Sequence, residues 1–207
     1  MHDRNIFLEG LSVILKPLRY EHLEALCQIG LEPAIWEWVH TPIYTREDMH
    51  RFIERALSEK DRGVTIPFVI IDKSISKIVG STRFYNILPE HRQLEIGATW
   101  LAKPWQKTVI NTEAKYLMLT HSFENLQYIR VQFKTDLLNK PSQRSLERIG
   151  ALQEGIFRNH MILGNGRRRH SIYYSILDTE WPDVKRNLLQ KLTCPIQINI
   201  VMKDNES

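Results

Sequence analysis

The chain has 207 residues, 43% of them hydrophobic and 25% charged, a length and balance that suit one globular domain and exclude wholesale disorder. Its formal net charge of +4 is mildly basic, which fits an anionic ligand but is too small to mark a nucleic-acid-binding protein unaided. Two cysteines without a partner motif, a mixed-charge start and no run near ~20 apolar residues read as a reduced, cytoplasmic protein with no secretory signal and no membrane span.

In chain order, residues 11–18 read as an opening strand, and 20–29 place Leu23, Leu26 and Cys27 on one helical face. Residues 45–60 are the clearest helix. Thr45 is a candidate N-cap with Asp48 three residues on, and Met49, Phe52, Ile53, Ala56 and Leu57 follow helical spacing. Three strand-like runs follow, at 64–72, 75–88 and 93–101. Polar turns at 72–74 and 89–92 separate them, which predicts an antiparallel meander. Residues 111–126 predict a helix that is apolar nearly all round and hence buried. Residues 129–136 alternate Ile129, Val131, Phe133 and Thr135 with Arg130, Gln132, Lys134 and Asp136, the period of a half-buried strand. A short helix at 141–149 has Pro141 in its first turn and Gly150 as its stop. Strands near 152–163 and 167–177 flank the hairpin signal Gly164-Asn165-Gly166, and a last helix spans 181–192. The organisation is one α/β domain over 1–192 and a tail over 193–207, whose apolar stretch Ile196 to Met202 adds a strand or packs on a partner.

The informative block is 93–113, where an apolar strand runs through a short loop into a helix start with Asn111 or Thr112 as cap. The first amides of a helix have no internal partners and lie at the positive end of its dipole, so a phosphate fits there. An ordinary strand-loop-helix connection is the alternative. The eight histidines show no metal-ligand spacing, and neither a Ser-His-Asp signature nor a Walker loop occurs.

This block resembles the acetyl-CoA-binding segment of the GNAT N-acetyltransferases, above all the RimJ/RimL branch of ribosomal-protein acetyltransferases. The resemblance is carried by Glu95-Ile96-Gly97, Trp100-Leu101, Trp105, the loop Gln106 to Asn111, and Thr112-Glu113-Ala114. It continues through Phe123-Glu124, Arg130-Val131, Asn139-x-x-Ser142, Ile149-Gly150-Ala151, Glu154-Gly155 and Arg158, and covers roughly 11–180. It implies the GNAT fold, a mixed and mostly antiparallel central sheet flanked by helices. It also implies direct transfer of acetyl from acetyl-CoA to an amine, with no metal and no covalent enzyme intermediate.

Residue by residue, the resemblance implies cosubstrate contacts from Trp100, Leu101, Gln106, Lys107, Thr108, Val109, Ile110, Asn111, Thr112 and Asn139. Asn139 would bond the pantetheine or the local backbone. Glu95 becomes the candidate base, against the alternative of a solvated strand carboxylate. Ser142 becomes the candidate acid, against first-turn capping. Leu146 stands where many relatives carry a tyrosine acid, so none is available there. Trp36, Trp38 and Arg83 are candidates for the acceptor groove, with core packing as the other reading of the tryptophans. The family usually has Gly where this chain has Val109, and Gly or Ala at Asn111. Valine is poorly suited to positive φ, so either the loop keeps negative φ there or cosubstrate affinity suffers.

The implied function is N-acetylation of an amine, a protein N-terminal α-amine first, with a small-molecule amine acceptor or a non-catalytic acyl-CoA-binding module as alternatives. The run Arg167-Arg168-Arg169-His170 reads as a solvated turn or as an attractor for an acidic acceptor or RNA. A homodimer is compatible with the sequence.

Overall fold

The computed structural model describes residues 6–193; the predicted tail, with Cys194 and the stretch Ile196 to Met202, lies outside the described residues. Strands β1 (Leu8–Glu9) and β2 (Val13–Pro17) open the fold, followed by a 3-10 turn at Tyr20–His22 and helix α1 (Leu23–Gly30). Helix α2 (Arg46–Asp61) starts at the predicted cap. Thr45 accepts from the Asp48 amide, and the Asp48 carboxylate accepts from the Thr45 amide at 2.9 Å. Strands β3 (Thr65–Asp72), β4 (Lys77–Leu88) and β5 (Gln93–Leu101) form the predicted meander. Helix α3 (Val109–Thr120) runs into a π-helical turn at His121–Asn125, then β6 (Arg130–Asp136) and α4 (Lys140–Arg148). Strands β7 (Leu152–Ile162) and β8 (Arg168–Leu177) and helix α5 (Trp181–Thr193) complete the chain.

All eight strands join one sheet in the order β1-β2-β3-β4-β5-β6-β8-β7. Every pairing is antiparallel except β5 with β6. A parallel neighbour needs a crossover, and α3 with its π-helical turn supplies it. This interior helix packs on the sheet through Ala114, Met118 and Leu119, each at most 1% exposed. Truncating such a residue, Met118→Ala for example, costs about 2–5 kcal/mol.

The register sorts the sheet into two unlike faces. Phe68, Phe84, Ile96, Val131, Phe133, Ile172 and Tyr174 point to the side where α3, α4 and α5 close the main core. Their alternates, Arg83, Tyr85, Glu95, Gln132, Lys134, Asp136, Arg169 and Tyr173, share the opposite face. Helices α1 and α2 cover only the β2–β5 end of that face, through a second cluster of Leu26, Met49, Ile53, Val69 and Trp100. A charged, half-roofed chamber is left over the centre of the sheet.

Candidate active site

The chamber forms where β5 and β6 part. Their parallel pairing covers only Gln93–Glu95 against Arg130–Gln132. Beyond Glu95, β5 keeps β4 on one side and loses its neighbour on the other. Gly97 pairs with Arg83 and Trp100 with Ser81, so Ala98 and Thr99 together oppose Thr82. Ala98 takes φ +46° to do so. This is a β-bulge: it bends the strand, and it turns the residues after it onto the other face. The outcome is a length of strand edge inside the sheet whose backbone groups face a cleft.

Glu95 stands at the head of that cleft and is fully buried. The solvated reading of the Glu95 carboxylate is therefore corrected, because parallel pairing with β6 puts a strand beside it. Its Oε2 accepts from Asn86 Nδ2 at 2.8 Å and from Gln132 Nε2 at 3.2 Å. Its Oε1 makes no hydrogen bond, with Lys134 Nζ at 3.5 Å. Tyr85 stands directly opposite Glu95 in the register. Burial and the carboxylate together hold the Tyr85 phenol well above its ordinary pKa, so it is protonated at neutral pH. Burial and Glu95 likewise raise Tyr173, which pairs with Lys134. Gly97 makes room for this arrangement, since a Cβ there would lie 2.8 Å from the Tyr85 ring.

The helix start below the cleft differs from its prediction by a few residues. Thr108 is the cap, not Asn111 or Thr112. Its Oγ1 accepts from the Ile110 amide at 3.3 Å and donates to the Trp105 carbonyl at 2.7 Å. Val109 is thereby the first helical residue, with helical φ, and the loop's left-handed residue is the exposed Lys107 at φ +63°. The amides of Val109 and Asn111 remain without helical partners and face outward from the turn. Beside them lies a cleft lined by Leu11, Lys73, Trp105, Thr108 and Val109. Gln106 Nε2 donates to the Leu101 carbonyl at 3.0 Å and holds the loop. Asn111 donates to Ser145 Oγ at 3.0 Å and Thr112 accepts from Arg148, so both side chains tie α3 to α4. Trp100, Leu101 and Ile110 are buried, leaving to the cleft only what their backbone presents.

At the end of β6, Asn139 Oδ1 caps α4 by accepting from the Ser142 amide at 3.1 Å, the local-backbone partner foreseen for it. Ser142 is half-buried in that first turn. Trp36 is corrected from groove to core. It is 4% exposed, packs on Trp100 with centroids 5.2 Å apart, and donates Nε1 to the Gly30 carbonyl at 2.7 Å. Trp38 does reach the chamber. Arg167 lies over its ring at 5.8 Å, and its carbonyl accepts from Arg169 Nη1 at 3.4 Å.

The arginine run is not a solvated turn. Arg167 Nη2 donates to the buried Asp136 Oδ2 at 2.5 Å, and Arg169 is itself 8% exposed; only Arg168 faces solvent. Arg83, also buried, faces Glu59 at 3.4 Å and stacks over Phe52 at 4.9 Å. Tyr85, Lys134, Asp136 and Tyr173 were missed as site residues, and Arg169 was read only as one member of a basic run. The alternation of 129–136 already puts Gln132, Lys134 and Asp136 on one face, but only the pairing with Glu95 shows which face matters.

Residues 12–152 match the acetyltransferase (GNAT) domain family. Among solved structures, a GCN5-related N-acetyltransferase from Brucella melitensis is 31% identical, with a TM-score of 0.83 over 90% of this chain and 85% of that one. YdaF of Bacillus subtilis, by name a candidate ribosomal N-acetyltransferase, is 34% identical over 108 residues, which is 52% of this chain and 58% of YdaF. Mycobacterium smegmatis RimJ, solved with CoA-disulfide, shares the fold at 23% identity and a TM-score of 0.79 over 92% of this chain and 97% of RimJ.

Proposed function

The chain belongs to the GNAT acetyltransferase family, and from that premise we propose that it transfers acetyl from acetyl-CoA directly to a primary amine, a protein N-terminal α-amine by preference. The observation that carries this reading is Glu95: a buried carboxylate with an oxygen left over, at the point where the sheet opens. The likeness to YdaF supports a protein acceptor.

The residues present suit acetyl-CoA, which supplies an activated acyl group as a thioester. The unpartnered amides at the start of α3 and the adjacent Lys107 and Lys73 offer a pyrophosphate site. The free edge of β5 beyond Glu95 offers hydrogen bonds to an extended amide-bearing chain such as pantetheine. Val109 does not obstruct this, because the left-handed step falls on Lys107.

Glu95 Oε1 takes the proton of the acceptor ammonium, so that the neutral amine forms the new C–N bond. Asn86 and Gln132 hold the other carboxylate oxygen and fix its direction. As the C–S bond breaks, a hydroxyl at the cleft returns a proton to the departing sulfur. Ser142, in the first turn of α4, is the candidate named by the resemblance, and Tyr85 and Tyr173 are protonated phenols on the face of Glu95. The bulge at Ala98 aims free backbone amides at the cleft, where they can stabilise developing negative charge.

The test couples binding to turnover. Acetyl-CoA should raise the melting temperature by mass action, and free thiol should then appear with amine acceptors. No thermal shift at millimolar acetyl-CoA removes the cosubstrate assignment. A shift with no turnover of any amine reduces the protein to a binding module.

A further inference from the structure

On the polar face of the sheet, two arginines are over 90% buried and incompletely paired. Arg83 is 7% exposed and Arg169 8%, and the Nε of each is buried without a hydrogen bond. Each faces an acid that another arginine already holds. Glu59 meets Arg83 at 3.4 Å but accepts from Arg55 Nε at 3.1 Å. Asp136 lies 4.0 Å from Arg169 Nε but accepts from Arg167 at 2.5 Å. Burying a guanidinium without full hydrogen bonding is costly, and a fold that only needed stability would use an apolar residue here.

The register sets these charges against Glu95. Tyr85 is opposite Glu95 and Arg83 opposite Gly97, so Arg83 and Glu95 are diagonal neighbours across β4 and β5. Such a pair has backbones about 7–8 Å apart. Arg169 lies on the same face, on β8 two residues beyond the Ser171 that pairs with Asp136, and its charge, like that of Arg83, acts on the Tyr85 phenol against the rise from burial and Glu95. Arg169 Nη1 donates to the Trp38 carbonyl at 3.4 Å, in the connection between α1 and α2. A carboxylate oxygen lacking a hydrogen bond therefore shares one face of the sheet with two guanidinium groups whose Nε donors are unpaired.

Resting on the transferase reading above, we propose that the acceptor is an amine that carries a carboxylate a few atoms away: its amine is bound by Glu95, and its carboxylate by Arg83 and Arg169. A free amino acid and a peptide with an acidic first residue present the same chemistry. The planar guanidinium binds carboxylate through paired N–H donors, which a lysine cannot reproduce.

The test is thiol release at saturating acetyl-CoA with matched acceptors. Peptides beginning with Asp or Glu are compared with their Asn and Gln counterparts, and free amino acids with their amides. The carboxylate-bearing acceptors should be preferred by about tenfold or more in kcat/KM, mostly through KM. Whichever of the two sets shows the preference identifies the source of the carboxylate. Arg83→Lys and Arg169→Lys, which keep the charge and lose the fork, should each cut the preference severalfold while acetyl-CoA still raises the melting temperature as in the wild type. Turnover indifferent to the carboxylate, or a preference that survives both substitutions, overturns the assignment and leaves the transferase reading intact. Absence of turnover with every amine overturns both together.

Discussion

Lys115 Nζ donates to Thr99 Oγ1 across 2.8 Å, joining the second turn of α3 to the bulged stretch of β5. Thr99 is in turn 2.7 Å from Thr82 Oγ1 on the neighbouring strand. The lysine is 5% exposed, and no carboxylate lies within ion-pair distance of it among the described residues. It braces the bulge from the apolar side of the sheet, beneath the cleft.

That position makes stability depend on pH. Burial pushes the Lys115 ammonium down from 10.5 to about 7. Below about pH 7 both folded and unfolded chains carry the proton, and the folded chain bears the full cost of burying it. Between about 7 and 10.5 the unfolded chain holds a proton that the folded chain has released, so stability rises with pH through that window. Lys115→Met removes the penalty, which is on the order of a few kcal/mol. Urea midpoints of the variant should exceed those of the wild type near pH 6, and the gap should close towards pH 10.5. A variant less stable at every pH refutes the argument.

Gly97→Ala places a methyl group 2.8 Å from the Tyr85 ring, closer than packed atoms approach. The ring must swing away from Glu95, because the β5 backbone is held by β4. Overpacking of this kind costs about 1–3 kcal/mol. Activity should fall by at least about tenfold while acetyl-CoA still protects against heat, since the α3 start is untouched. Wild-type kcat in this variant detaches the Tyr85–Glu95 contact from catalysis.

For Glu95→Gln the expectation is a fall in kcat near pH 7 of roughly a hundredfold or more, with little change in acetyl-CoA affinity. The deficit should shrink as pH rises and the free amine becomes abundant. Rescue beginning near 7.7–8.0 identifies an α-amine, and rescue only near 10.4 a lysine side chain. Undiminished turnover at pH 7 eliminates Glu95 as the base.

The two loop positions should respond oppositely. Lys107 adopts φ +63°, which disfavours a side chain, so Lys107→Gly relieves about 0.5–1 kcal/mol of strain. Val109 is already helical, so Val109→Gly only frees the backbone at the helix start and costs about 0.5–1 kcal/mol. Melting curves and acetyl-CoA titrations of both variants check this. Tighter binding by Val109→Gly would show that the valine obstructs the pyrophosphate.

The elements and the family-level organisation were legible in the residues alone, because those rest on short-range physics. The Thr45-Asp48 capping box, the Pro141 start and Gly150 stop of α4, and the alternation in 129–136 each act within a few residues of themselves. The same local reading erred where two caps competed: Asn111 and Thr112 could both start a helix, but Thr108 does, and the other two are drawn to Ser145 and Arg148 on α4. The site, by contrast, depends on strand pairing. Glu95 meets Gln132 because two strands pair in parallel across a helical crossover, and Trp100 is turned into the core because one extra residue at Ala98 reverses the alternation behind it. Arg83 and Arg169 are far apart in sequence, and nothing local joins the one, read as a groove candidate, to the other, read within a basic run. What gathers them around Tyr85 is the strand order, which no local pattern encodes, since it is set by the register of strands that fold onto one another from tens of residues away.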